Sequence, residues 1–331
     1  MQSRRAVLGF GAATLGAATG LPPGQRAAAQ TQQPAPPPPA ASPPPPAAAP
    51  PPLPYRPHAV QTPDGVLIQA YEYGSPDGPA ILFLHGFAQS ALSWDKQTRD
   101  PDLAREFRMV AYDLRGHGMS GKPEGDQYYK PSKPWGDEVR AVIEQTGLRR
   151  PVLVVWSYAG RAMGDYLLGY GHHDIGGMNW VSAASSTAPE LLANPRNQGY
   201  GGPAAMGSAD PMTAIRSTVA FLHEVFEVQP SPEEFETMLA FNMMVPRHVR
   251  LALLGRKADY EPVLRALDIP VLVTHGTQDR LVDIRMARYT AATVPGAKLS
   301  VYEGAGHAPF WEDAPRFNRE LAELVRTAAT R

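Results

Sequence analysis

Short hydrophobic runs recur along the chain between residues 66 and 302, and each has the length and composition of a β-strand. The predicted strands are 66–73, 80–85, 107–112, 151–156, 179–183, 270–275 and 298–302. Helix-like patterns fill most of the gaps, and the last of them places Phe317, Leu321 and Val325 on one face of residues 315–329. Strands that alternate with helices predict an α/β protein whose mostly parallel sheet is covered on both faces.

The alternation stops between residues 184 and 260. A loop rich in Gly and Pro precedes helical patterns that carry Met and Phe. An insertion of this size after the strand at 179–183 predicts a lid at about 185–260. Its large apolar residues are predicted to form the lid core and, together, the roof of an apolar pocket. These residues are Met212, Phe221, Phe226, Met238, Phe241, Met243 and Met244.

The first 29 residues contain the pair Arg4 and Arg5, then a short, weakly apolar stretch, then Ala27 to Ala29. This arrangement resembles a twin-arginine signal peptide, with cleavage expected after Ala29; a basic tail is the alternative. The apolar stretch is too weak for a bilayer span, so no stable membrane span is expected after removal of the signal. The resemblance predicts a periplasmic or secreted protein.

Residues 30–57 form a Pro- and Ala-rich segment, in which fourteen of the 24 residues from 34 to 57 are proline. Such a composition supplies neither the backbone donors nor the side chains of a packed core. We therefore predict a disordered linker with polyproline II character, which acts as a tether. An SH3-type ligand is the alternative interpretation. The folded domain is predicted to span residues 58–331.

Composition and charge narrow the class of partner. A formal net charge of -1 gives no basic field of the kind that nucleic acid or anionic lipid requires. The absence of cysteine excludes disulfides, thiolate nucleophiles and thiolate metal sites. No cofactor or metal is predicted, a small ester or acyl molecule is the expected substrate, and the oligomeric state is left open.

The run VVWSYAGRAMGDYLL, residues 154–168, joins a strand to a helix and carries Ser157 at the turn. A serine hydroxyl becomes a nucleophile only with a base, an acid that orients the base, and donors for the oxyanion. In a parallel sheet the loops after the strands converge at one edge. Those loops supply Asp279 as the acid, His307 as the base, and the N–H groups of Phe87 and Tyr158 as donors.

Four stretches in the expected order resemble the α/β-hydrolase superfamily, in particular its lidded esterase and cofactor-free haloperoxidase-like branch. They are HGF at 85–87, the serine turn, DLRGHGMS at 113–120 and GAGHAPFWEDAPRFN at 304–318. The resemblance implies an eight-stranded, mostly parallel sheet flanked by helices, with a helical lid after strand 6. It also implies a serine carboxylesterase whose triad is Ser157, Asp279 and His307.

Some residues depart from this pattern and leave alternatives open. Val155 and Ala159 stand where the serine motif usually has glycine, and Asp283 could compete with Asp279. One alternative keeps the triad but transfers the acyl group to peroxide, as a perhydrolase or haloperoxidase-like enzyme. Another is a catalytically silent binding protein. His172 and His173, with the next residue Asp174, could bind a metal, although a cluster at a helix end is the preferred interpretation.

Overall fold

The computed structural model describes residues 55–330, apart from residues 198, 200 and 258. The predicted signal peptide at 1–29, and the predicted linker up to residue 54, lie outside the described residues. Both therefore stay predictions.

Eight strands form one sheet, which confirms the predicted fold class. The strands are β1 (Arg56–Gln61), β2 (Leu67–Gly74), β3 (Ala80–Leu84), β4 (Arg108–Tyr112), β5 (Val152–Trp156), β6 (Gly177–Val181), β7 (Val271–Gly276) and β8 (Lys298–Tyr302). Their order is β1-β2-β4-β3-β5-β6-β7-β8. Strand β2 pairs antiparallel with β1 and β4, and all other pairs are parallel.

The central strands are apolar because both faces of the sheet are covered. Every residue of β3, β5, β6 and β7 is buried. This burial explains why these strands are predominantly apolar along their length and do not alternate between apolar and polar residues.

Strand β1 was missed by the hydrophobic pattern, and it starts inside the segment predicted to be linker. It is an edge strand that pairs only with β2, and Val60 is the one buried residue among its six. An exposed edge strand gives little hydrophobic signal, and Pro57 argues against a strand in the sequence. The folded part therefore begins by Arg56, two residues before the predicted start at residue 58.

Helices cover the sheet and connect its strands. Within the described residues they are α1 (Asp95–Thr98), α2 (Pro101–Glu106), α3 (Lys133–Thr146), α4 (Ala159–Tyr170), α5 (Pro189–Leu192), α6 (Gly202–Met206), α7 (Pro211–Val225), α8 (Pro232–Met243), α9 (Arg247–Ala252), α10 (Glu261–Arg265), α11 (Ile284–Thr293), α12 (Pro309–Glu312) and α13 (Ala314–Ala329). The predicted apolar face of α13 is buried, and this helix packs against strands β5 and β6. No helix among the described residues combines the length and the apolar character that a bilayer crossing needs.

Helices α5 to α9 lie between β6 and β7, in the region where the lid was predicted. Phe221, Phe226, Met238 and Phe241 are buried, as expected of a lid core. The prediction is wrong for Met212, Met243 and Met244, whose exposed fractions are 52 %, 39 % and 43 %. Their helices present these side chains to solvent, which the presence of methionine alone could not reveal.

A buried arginine holds the lid helices together. The guanidinium of Arg250 donates to the carbonyl oxygens of Val245 (3.0 Å), Met206 (2.8 Å) and Asn242 (2.5 Å) and to the Thr218 hydroxyl (2.9 Å). Burial lowers the pKa of Arg250 to about 10, so the group remains charged at neutral pH. One side chain thus satisfies acceptors from α6, α7, α8 and the turn before α9.

A second buried arginine fixes the loop after β4. Arg115 donates to Glu138 of α3 (2.7 Å) and to Asp64 in the turn after β1 (2.7 Å). Arg115 and Glu138 are completely buried. Arg115 is the charged partner of Glu138, so removal of Arg115 would leave the Glu138 carboxylate without a compensating charge in the interior.

We expect Arg115→Met to lower the free energy of unfolding by about 3–5 kcal/mol, because Glu138 would then be a buried carboxyl group without a charged partner. Urea unfolding followed by circular dichroism measures this change. The control is Arg105→Met, which removes an ion pair whose side chains are 75 % and 79 % exposed and should change the unfolding midpoint little. Equal midpoints for the two variants would contradict this account of Arg115.

Candidate active site

Ser157 occupies a strained turn between β5 and α4. Its φ of +57° lies in the left-handed region that residues with a side chain seldom adopt. The backbone N–H of Ser157 donates to the carbonyl of Val181 (3.0 Å), and its carbonyl accepts from Gly160 (3.1 Å) and Ala184 (3.2 Å). The last residue of β6 and the segment that follows it thus hold the turn in place. A strained, well-bonded backbone is typical of a functional residue.

The departures from the glycine pattern are accommodated. Val155 is buried in β5, between Leu84 of β3 and Trp180 of β6. Ala159 is buried at the start of α4. The glycine that the motif keeps, Gly160, is needed, because a Cβ there would lie 2.5 Å from the carbonyl oxygen of Ala184. The strained turn therefore forms with Val155 in place.

Asp279 and His307, the predicted acid and base, are in contact. Nδ1 of His307 lies 2.7 Å from Oδ2 of Asp279. The other carboxylate oxygen accepts from the N–H groups of Leu281 (2.8 Å) and Val282 (2.9 Å), and Nε2 of His275 lies 3.3 Å from Oδ2. Burial raises the pKa of Asp279, but the imidazole of His307 and these donors outweigh burial and hold that pKa below its usual value.

An ionised Asp279 can only accept a hydrogen bond, so Nδ1 of His307 carries the proton. Nε2 of His307 is then left as an acceptor. This is the tautomer that a general base toward a serine hydroxyl requires.

Asp283, the competing acid, has a different role. Its carboxylate caps helix α11 and accepts from the backbone N–H and from Nε of Arg285, both at 2.9 Å. It forms no hydrogen bond or ion pair with His307. Of the two candidate acids, it is therefore Asp279 whose carboxylate contacts His307.

The N–H groups of Phe87 and Tyr158, the two predicted oxyanion donors, have no hydrogen-bond acceptor among the described residues. The loop of Phe87 approaches the serine closely, since a Cβ on Gly86 would lie 3.1 Å from Cβ of Ser157. Tyr158 is the residue after the serine, at the N-terminus of α4. Both donors therefore belong to segments that border Ser157.

Two buried histidines hold the Phe87 loop. His117 accepts from the N–H of Ala88 (3.2 Å), and His85 accepts from the N–H of Leu114 (3.0 Å), so each loop binds the histidine of the other. Their ring centroids are 5.0 Å apart. Burial lowers the pKa of His85 to about 4 and that of His117 to about 3, so both rings stay neutral acceptors.

His307 reaches the serine strand through a contact that the sequence did not indicate. The indole N–H of Trp156 donates to the carbonyl of His307 (2.9 Å), and the two ring centroids are 5.5 Å apart. Trp156 directly precedes Ser157. The structure thus joins His307 to Asp279 by a hydrogen bond and to Trp156, the residue before the serine, by another. The Ser157 hydroxyl itself forms no hydrogen bond with His307. The Trp156 contact spans 151 positions, and no local pattern signals it.

The histidine cluster at residues 172–174 is divided between different partners. His172 contacts Asp268 (2.8 Å), and Asp174 forms an ion pair with Arg140. Among the described residues no group of three His, Asp or Glu side chains is arranged to hold a metal ion.

Known proteins resemble this chain over nearly its whole folded part. The bifunctional esterase/perhydrolase DCH of Acinetobacter calcoaceticus is 27% identical over 286 residues, which cover 81% of this chain and 99% of that protein. The non-heme chloroperoxidase CPO-A1 of Kitasatospora aureofaciens is 28% identical over 279 residues, covering 80% and 98%.

A solved structure from Burkholderia cenocepacia, of a protein described as an aryl esterase, is 35% identical with a TM-score of 0.78. The matched region covers 83% of this chain and 100% of the Burkholderia cenocepacia chain. Residues 81–320 match the alpha/beta hydrolase family. This match extends over more than half of the chain, and the sheet has the predicted eight strands, so the chain belongs to the alpha/beta hydrolase family.

Proposed function

We propose that this protein is an exported serine hydrolase that cleaves carboxylic esters through an acyl-enzyme. The observation that carries the proposal is the buried pair of Asp279 and His307, in contact with the residue next to a serine in a strained turn. Esterase relatives support the reaction class.

In the first half of the reaction, Nε2 of His307 takes the hydroxyl proton of Ser157 while Oγ bonds to the ester carbonyl carbon. The oxyanion that forms is held by the N–H groups of Phe87 and Tyr158. The C–O bond to the alcohol then breaks, and His307 returns the proton to the leaving alcohol. Asp279 keeps the imidazole in the productive tautomer and stabilises its positive charge.

In the second half, His307 removes a proton from water, which attacks the acyl carbon. The bond to Oγ breaks, Ser157 regains its proton, and the carboxylic acid leaves. The step from acyl-enzyme to free acid requires no group beyond the triad, the two N–H donors and water.

Aromatic side chains near the donors favour an acyl or aromatic substrate. The ring of Phe87 lies 6.2 Å from that of Tyr158 and 6.3 Å, edge to face, from that of Phe221 in lid helix α7. Aromatic rings in this position offer contact to apolar groups of a substrate.

Transfer of the acyl group to hydrogen peroxide is a second candidate reaction of the same site. Peroxide would replace water in the second half and release a peracid. The esterase/perhydrolase and chloroperoxidase relatives favour this candidate. For location we propose the periplasm or the exterior, on the basis of the twin-arginine-like residues 1–29.

A fluorophosphonate probe should label the wild-type protein at Ser157 and should fail to label Ser157→Ala, because only the activated hydroxyl attacks phosphorus. Gel fluorescence and peptide mass spectrometry measure this. Absence of labelling in the wild type, together with binding of acyl ligands, would instead favour a silent binding protein.

We expect Asp279→Asn to reduce kcat for p-nitrophenyl acetate by about 10⁴-fold, because the amide would favour the wrong tautomer of His307. Asp283→Asn is the matched control and should stay within a few-fold of wild type. Steady-state kinetics of both variants decide the assignment. A larger loss in Asp283→Asn than in Asp279→Asn would reverse it.

If the acyl-enzyme accepts peroxide, the protein should brominate monochlorodimedone in acetate buffer that contains bromide and hydrogen peroxide. The activity should vanish in Ser157→Ala. Bromination that survives in Ser157→Ala would exclude the acyl-enzyme as its source, whereas ester cleavage without bromination would restrict the enzyme to hydrolysis.

A further inference from the structure

The carboxylate of Glu312 binds the lid on one side. Glu312 ends helix α12, shortly after His307 in the chain. Its Oε2 accepts from the backbone N–H groups of Glu227 (3.1 Å) and Val228 (2.8 Å). These two residues belong to residues 225–228, which we call the lid strap; it consists of the last residue of lid helix α7 and the three residues that follow. One carboxylate oxygen is therefore fully engaged by the lid.

The other oxygen of Glu312 binds the loop of the base. Oε1 accepts from the N–H of Gly306 (2.9 Å). The next N–H, that of His307, donates to the carbonyl of Val225 in the lid strap (2.8 Å). A Cβ on Gly306 would lie 2.7 Å from the backbone nitrogen of Glu227, so this loop is pressed directly against the strap.

The acid loop reaches the same strap. Arg280, the neighbour of Asp279, forms an ion pair with Glu227. Both side chains are partly exposed, so this pair contributes less than the buried contacts of Glu312. The loops of acid and base thus both rest on the segment that ends helix α7.

We propose that Glu312 is a positioning residue that seats the loop of His307 on the lid strap and so sets the reach of the base toward Ser157. The proposal rests on the function proposed above. The hydrogen bonds of Glu312 go to the backbone of Gly306 and of the lid strap, and none goes to Ser157 or to the ring of His307. Its effect would pass through the backbone of Gly306, and small displacements of a base have large effects on rate.

Glutamine at this position tests the proposal closely. An amide has one acceptor oxygen, whereas the carboxylate has two, and both are in use. Glu312→Gln must therefore turn an NH₂ group either toward the N–H of Gly306 or toward those of the strap. The side chain keeps its size, so the substitution removes an acceptor without leaving a cavity.

For Glu312→Gln in the full chain we expect kcat for p-nitrophenyl acetate to fall roughly 10- to 100-fold with KM within about twofold of wild type. The rate of phosphonylation of Ser157 should fall in parallel, because it depends on the same base. The matched control is Glu320→Gln. Glu320 accepts from Ser300, Tyr302 and Arg316, remote from the lid strap, and its variant should match wild type in kcat.

The outcomes separate the two proposals. A wild-type protein that neither hydrolyses esters nor reacts with fluorophosphonate overturns both. An active wild type with Glu312→Gln equally fast, or slowed only through KM, overturns the positioning role alone. If Glu312→Gln does not fold, amide hydrogen exchange in the wild type replaces it: Gly306 and Val228 should be protected together, and unprotected amides at both positions would overturn the seat.

Discussion

The parallel strands of the sheet all end at one edge, and this constraint assembles the site. The loop after β3 carries Phe87, the turn after β5 carries Ser157, and the loops after β7 and β8 carry Asp279 and His307. These residues are far apart in the chain. The hydrogen-bond ladders fix the strand order, and the strand order decides which loops are neighbours.

Burial and strain are offset locally. The left-handed backbone of Ser157, which costs of order 1–3 kcal/mol, is held by hydrogen bonds to Val181 at the end of β6 and to Ala184 beyond it. Burial acts on every titratable group here, but its outcome depends on the partners. The hydrogen bonds of His85 and His117 go to backbone groups, and burial keeps both rings neutral. Asp279 instead faces the imidazole of His307 and remains charged.

The sequence predicted the parts of this protein whose signals are local. Hydrophobic runs located seven of the eight strands, and the signal is strongest in β3, β5, β6 and β7, in which every residue is buried. Motif order placed Ser157, Asp279 and His307 in loops of the same edge. The sequence did not predict the exposed edge strand β1 or the exposure of Met212, because neither the hydrophobic pattern nor the residue type indicates which side of an element faces solvent.

The sequence by itself determined the fold class and the candidate residues, because the apolar periodicity of a strand and the residues of a loop can be read locally. Only the tertiary structure decided that Asp279 rather than Asp283 contacts His307, and that Glu312 joins the loop of the base to the lid. These contacts join segments from different loops, some of them about 85 residues apart. Their partners are fixed by sheet order and packing, which no local pattern encodes.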